Sequence, residues 1–174
     1  MVRQMYLKAL GAILVLFSTT SIGYLLSRRL HVRIDSLQAV LSGFQLLGSE
    51  IGYLKTPMNE AFLKAAGGAS GHSFFYEVVQ EQKKEGAFIA DSYEKALMQN
   101  YKRYDLTEKD LNILLEFKNN LGMCDLDSQL QMIEYIKKGI GTQIEEGRRI
   151  EQKYGKLYKS LGFLAGAFLV VLFL

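Results

Sequence analysis

The chain has very little of what usually signals sheet, disulfide or metal chemistry: one proline (Pro57), one cysteine (Cys124), two histidines (His31 and His72) and no tryptophan. With no Val/Thr-rich alternating runs either, a sheet-rich chain is excluded and an all-α chain is expected. A lone cysteine cannot close an intramolecular disulfide, which favours a reducing side for the middle of the chain. His31 and His72 are isolated, and Cys124 has neither a CxxC partner nor a nearby histidine, so no metal site is expected. Cys124 precedes Asp125, whose charge opposes thiolate formation, so a structural role is expected for it. Neither G-x-x-x-x-G-K-[ST] nor G-x-S-x-G occurs. Acidic neighbours such as Glu145–Glu146 or Asp125 and Asp127 read as solvated charges or helix caps, so neither catalysis nor a cofactor is expected.

Charge is also missing, in two places. Residues Ala9–Ser27 and Ser160–Leu174 carry none, and all 18 acidic residues lie between Asp35 and Glu151. The overall mean hydropathy of +0.05 therefore averages two unlike regions. The first run covers roughly 28 Å as a helix, about one hydrocarbon core. A cleaved signal peptide is the rival reading, but the run continues through Tyr24, Leu25 and Leu26 into Arg28 and Arg29, as an anchor does. The second run covers only roughly 22 Å. Lys156 and Lys159 can extend it by snorkelling, and Tyr154 and Tyr158 suit the same interface. Within it Gly162 and Gly166 form a G-x-x-x-G pair that lets another helix approach closely. The expected organisation is a short segment 1–8, a transmembrane helix 9–27, a helical domain 28–159 and a transmembrane helix 160–174, with the last helix running unbroken from about Leu126 into the membrane.

The inner flanks of the two runs hold Arg28, Arg29, Arg33, Arg148, Arg149, Lys153, Lys156 and Lys159, against Arg3 and Lys8 on the other side. Eight against two orients the middle domain to the cytoplasm, with a second helix that serves only to anchor. This collar suits anionic lipid headgroups. Residues 34–147 hold 11 basic and 17 acidic residues, a net of −6, which suits a basic protein partner and disfavours nucleic acid.

Apolar spacing of three and four from Ile34 predicts an amphipathic helix to about Lys55. Thr56 is placed to cap the next helix and Pro57 to open it. GGASG, Gly67–Gly71, reads as a linker. Helices over about 73–85 and 89–101 follow. Thr107 with Asp110 resembles a capping box opening a helix to about Leu121 that Gly122 can end, and Asp125 or Asp127 caps the last helix.

Three segments together resemble one family. They are LQAVLSGFQLLGSEIGYLKTPMNEAF (Leu37–Phe62, with Glu50, Tyr53, Thr56, Pro57, Met58, Glu60 and Ala61), LGMCDLDSQ (Leu121, Gly122, Asp125 and Gln129), and KYGKLYKSLGFLAGAFLVVLFL (Lys153–Leu174). In order and spacing they look like the stage III sporulation protein AB family of endospore-forming bacteria. GGASG matches nothing in that pattern and carries nothing over. The resemblance implies a component of the secretion-like channel between mother cell and forespore, in the mother-cell membrane around the forespore. It also implies an F-type helical domain similar to that of platform proteins in type II secretion and type IV pilus systems. By that analogy the cytosolic domain docks a secretion-type ATPase, stage III sporulation protein AA, beside other channel membrane proteins, with room for a homo-oligomer. Glu50, Glu60 and Asp125 are the candidate contacts. Glu60 has a competing role in the helix dipole and Asp125 one as an N-cap. The alternative function is a two-span sensor with an extracytoplasmic ligand-binding bundle.

Overall fold

A computed structural model describes residues 2–68, 74–86, 88–121 and 125–173. His72, Gly122, Cys124 and most of the GGASG linker fall outside these. The fold is all-α: α1 Val2–Gly52, α2 Met58–Gly68, α3 Phe74–Glu85, α4 Ile89–Asn100, α5 Glu108–Glu116, a 3-10 turn Phe117–Asn120, and α6 Leu126–Phe173. The two runs of apolar residues belong to helices long and apolar enough to cross a membrane.

Two sequence expectations change here. The first span and the amphipathic stretch from Ile34 are parts of one 51-residue helix, because nothing between Ser27 and Ile34 is a glycine or proline that could stop helical hydrogen bonding. The helix opened by Thr107 stops at Glu116 and tightens into the 3-10 turn, where the Phe117 N–H is shared between the carbonyls of Leu114 and Leu115. Tightening lets Phe117 enter the core, where it is 1% exposed.

The chain forms two compact units. One comprises Met1–Val32 with Gly147–Leu174, the other Arg33–Glu146. The second has an apolar core drawn from every helix, with Leu37, Phe44 and Leu47 of α1, Phe62 of α2, Phe75 and Val78 of α3, Tyr93 and Leu97 of α4, Leu114 of α5, and Ile133, Ile136 and Ile140 of α6. Its centre is aromatic. Phe44 meets Phe75 and Phe117 edge-on at ring separations of 5.2 and 5.0 Å, and Tyr93 meets Phe74 at 5.1 Å, geometry that adds about 0.5–1.5 kcal/mol per pair beyond area burial. Gly43 makes room for this, since a Cβ there would lie 2.2 Å from the Phe75 ring. The Tyr93 hydroxyl donates to the Leu114 carbonyl at 2.8 Å, so the buried ring carries no unpaired polar atom.

The other unit is a helix hairpin in which the first part of α1 and the last part of α6 run antiparallel. Gly23 faces Tyr158 and Gly162, and Gly155 faces Ser27. Four of its hydroxyls donate within their own helices: Ser18 to Leu14, Thr19 to Val15 and Leu16, Ser21 to Phe17 and Ser160 to Lys156. Large apolar side chains such as Phe17, Leu25, Phe163 and Phe168 point outward, 74%, 55%, 56% and 67% exposed, as a lipid solvent requires.

Candidate functional site

The candidate docking residues lie where α1 ends. Lys55 has φ +54°, a left-handed turn that stops the helix, and the Thr56 N–H reaches back to the Glu50 carbonyl at 3.0 Å. The Glu50 carboxylate closes the turn: Oε2 accepts from Lys64 Nζ of α2 and from the Thr56 hydroxyl, both at 2.7 Å. The Lys64 ammonium first, and the Thr56 hydroxyl after it, hold the Glu50 carboxyl below the usual carboxylate range. Glu50 is itself only 8% exposed. It acts as a latch between two helices and presents little carboxylate to a partner.

Thr56 therefore binds Glu50 through its side chain. The helix starts one residue later than expected: α2 begins at Met58, and Pro57 supplies the carbonyl that accepts from the Ala61 N–H at 2.9 Å. Glu60 stands exposed in the first turn of α2, where a carboxylate favours the dipole. Tyr53 and Leu54 on the same turn are 88% and 65% exposed.

Asp125 caps α6, as one of the two residues expected for that role. Its Oδ1 accepts from the Ser128 N–H at 2.8 Å and its Oδ2 from the Ser128 hydroxyl at 3.2 Å. These bonds, the backbone one first, hold its carboxyl below the ordinary value. Within this unit Gly48 faces Ile133 and Gly52 faces Leu130. That antiparallel register puts the start of α6, and Asp125, at the end that carries the 53–57 turn.

Gly162 and Gly166 have a partner inside the chain. A Cβ on Gly162 would lie 2.7 Å from the Thr19 carbonyl oxygen, and one on Gly166 would lie 2.2 Å from Thr19 Oγ1. The close helix approach read from G-x-x-x-G is thus made by the chain's own first span. Gly23 is its third member, and no G-x-x-x-G in the first run marks it.

One constellation escaped sequence reading. Arg33, counted among headgroup-facing cations, is 8% exposed and turns into the protein. Its Nε and Nη2 donate to the two oxygens of Asp110 at 2.8 and 2.9 Å, and Nη2 also reaches Gln143 Oε1 at 3.3 Å. Asp110 serves twice, because its Oδ2 also accepts from the Thr107 N–H and hydroxyl at 2.8 and 2.7 Å in the expected capping box. Burial pushes the Asp110 carboxyl up, but the Arg33 and Thr107 bonds outweigh it and the group sits below its ordinary value. Nothing within a few residues of Arg33 announces a partner 77 positions away. Among the described residues no group of three or more His, Cys, Asp or Glu side chains gathers as a metal site.

Comparison with known proteins agrees along almost the full chain. The model of the family "Stage III sporulation protein AB" matches residues 8–174. The stage III sporulation protein AB of Bacillus subtilis (strain 168) is 27% identical over 168 residues, covering 95% of this chain and 98% of that protein. A solved structure of a stage III sporulation protein AB superposes with a TM-score of 0.62 at 18% identity, over 70% of this chain and 98% of that one, which supports the fold. A match of that extent, on a chain with two membrane-length apolar helices, identifies this protein as a membrane member of the stage III sporulation protein AB family.

Proposed function

We propose that the protein is a platform component of a secretion-like channel between mother cell and forespore. It sits in the mother-cell membrane with the unit Arg33–Glu146 in the cytoplasm, and docks a secretion-type ATPase of the stage III sporulation protein AA class at the end bearing the 53–57 turn. The observation that carries the reading is this turn. It joins an exposed carboxylate, Glu60, to the exposed Tyr53 and Leu54, and the Glu50–Lys64–Thr56 latch holds it in one shape. A preformed turn loses little conformational freedom on binding. The net acidity of residues 34–147 favours a basic partner surface. Counting Arg33 out of the flanking cations leaves seven against two, so the orientation argument keeps its sign.

Glu50 contributes as a shaping residue, and Glu60 as the charge that meets the partner. Asp125, at the same end but engaged with Ser128, contributes to the rim. The test is a pull-down of the ATPase by the full-length protein in detergent. Glu60→Lys is expected to weaken capture about tenfold, in the range of a lost charge-assisted contact, with helix content unchanged by circular dichroism. Undiminished capture by Glu60→Lys and by Tyr53→Ala together would remove this turn from the interface.

A further inference from the structure

The hairpin unit contains a polar cleft that the docking reading does not use. It is lined by Tyr24, Ser27, Arg28 and His31 of α1 and by Glu151 and Lys159 of α6, and has a volume of about 210 Å³. It lies at the inner border of the apolar runs, one helical turn past the Gly23–Gly162 crossing, the level at which headgroups meet the two helices. Its two permanent cations are Arg28 and Lys159, and among the described residues no carboxylate lies within ion-pair distance of either. The Lys159 ammonium lies 5.5 Å from the centre of the Tyr24 ring, a contact that favours its placement over the cleft. The carboxylate in the cleft, Glu151, lies with Oε1 3.0 Å from His31 Nδ1, so its oxygen is engaged on the histidine side. Ser27, buried against Gly155, adds a hydroxyl.

We propose that this cleft seats the phosphate of an anionic phospholipid of the phosphatidylglycerol class. Arg28 and Lys159 supply the charge-assisted donors, Tyr24 lies along the glycerol and upper acyl region, and the acyl chains run down the outward-facing Leu25 and Phe163. Two cations lining one cleft at headgroup depth, beside an outward apolar surface, match the two ends of a lipid; a soluble phosphate matches only one. The inference rests on the membrane hairpin alone and is independent of ATPase docking.

The test uses full-length protein in neutral detergent micelles, with lipid retention read by native mass spectrometry and the melting temperature followed in parallel. Phosphatidylglycerol is expected to be retained and to raise the melting temperature, while phosphatidylcholine does neither. The double variant Arg28→Gln/Lys159→Gln is expected to lose about tenfold in affinity or more. The charge-matched pair Arg148→Gln/Lys156→Gln, outside the cleft, is expected to keep the affinity within about twofold of wild type, as general surface attraction falls only slightly. Arg28 and Lys159 are exposed, and each single variant is measured as well, so a folding failure of the double leaves the comparison intact. Equal losses in the two double variants would overturn the cleft in favour of a diffuse collar. So would retention of phosphatidylcholine to the same extent, or a melting shift reproduced in full by inorganic phosphate, which would make the occupant a free anion.

Discussion

The two compact units solve helix association in opposite ways. In Arg33–Glu146 the helices are spaced by large side chains, with Phe44, Phe62, Phe75, Tyr93 and Phe117 filling the centre. In the hairpin, large side chains face outward and the helices meet backbone to backbone over Gly23, Gly162 and Gly166. In water, burying aromatic area drives association and space is filled by bulk. In lipid, a phenylalanine gains nothing by leaving one apolar medium for another, so association depends on close van der Waals contact and small residues. Polar groups divide the same way. The domain spends a buried ion pair on tertiary contact, whereas in the hairpin the Ser18, Thr19, Ser21 and Ser160 hydroxyls donate within their own helices.

The largest expected effect follows from that ion pair. Asp110→Ala leaves the Arg33 guanidinium buried with only Gln143 and removes the capping box, at a cost of about 3–5 kcal/mol in the domain. Acid should act in the same direction. The Asp110 carboxyl lies below its ordinary value in the folded state, so its contribution is complete above the unfolded carboxylate value of about 3.9 and disappears as pH falls through the lower folded value. Denaturant titrations at pH 7 and below pH 4 should therefore show a large gap between wild type and variant that narrows in acid. A gap independent of pH would mean that packing, and not the charge pair, is what the aspartate supplies.

In the hairpin the matching test is Gly162→Leu. A Cβ there already meets the Thr19 carbonyl oxygen at 2.7 Å, which is backbone and cannot swing away. Overpacking of this kind costs about 1–3 kcal/mol. The readout is a disulfide between Ser27→Cys and Gly155→Cys, positions in contact in the structure, in a Cys124→Ser background. Cross-linking yield should fall several-fold with Gly162→Leu and less with Gly162→Ala. An unchanged yield would show that the small residues do not set the helix separation, and the contrast between the units would lose its basis.

What could be read from the sequence was what is local. Two uncharged runs, the Thr107–Asp110 capping box, the Asp125 cap and the three-and-four spacing from Ile34 each need only neighbouring residues, and the structure contains all of them. The Gly162/Gly166 pair announced a close approach but not its partner, because the two glycines of the first run, Gly11 and Gly23, are 12 positions apart and form no G-x-x-x-G. The partners of Arg33 and Glu50 are not legible in the sequence, for a common reason. Each looks like a surface charge beside its neighbours, and each is claimed by a residue on another helix, 77 positions away for Asp110 and 14 for Lys64. Thr56 fits a cap by pattern, but a carboxylate at 2.7 Å took its hydroxyl instead.

The smallest effect sharpens the contrast at the level of a single hydroxyl. Tyr93→Phe removes a 2.8 Å bond from a fully buried ring to the carbonyl of Leu114 on another helix, with an expected cost of about 1 kcal/mol. Thr19→Val also removes a buried-side hydroxyl, but one whose acceptors, Val15 and Leu16 at 3.0 and 3.2 Å, lie in its own helix. Those carbonyls keep their helical partners, and valine has nearly the shape of threonine in the crossing beside Gly166, so the expected cost is below about 0.5 kcal/mol. Thermal melts of both full-length variants in the same detergent, followed by circular dichroism, make the comparison. A clear loss for Tyr93→Phe with none for Thr19→Val would support tertiary use of polar groups in one unit and self-satisfied helices in the other. Equal losses would mean that the Thr19 hydroxyl also works across the helix crossing, through its contact beside Gly166, and that the hairpin depends on polar packing as much as on small residues.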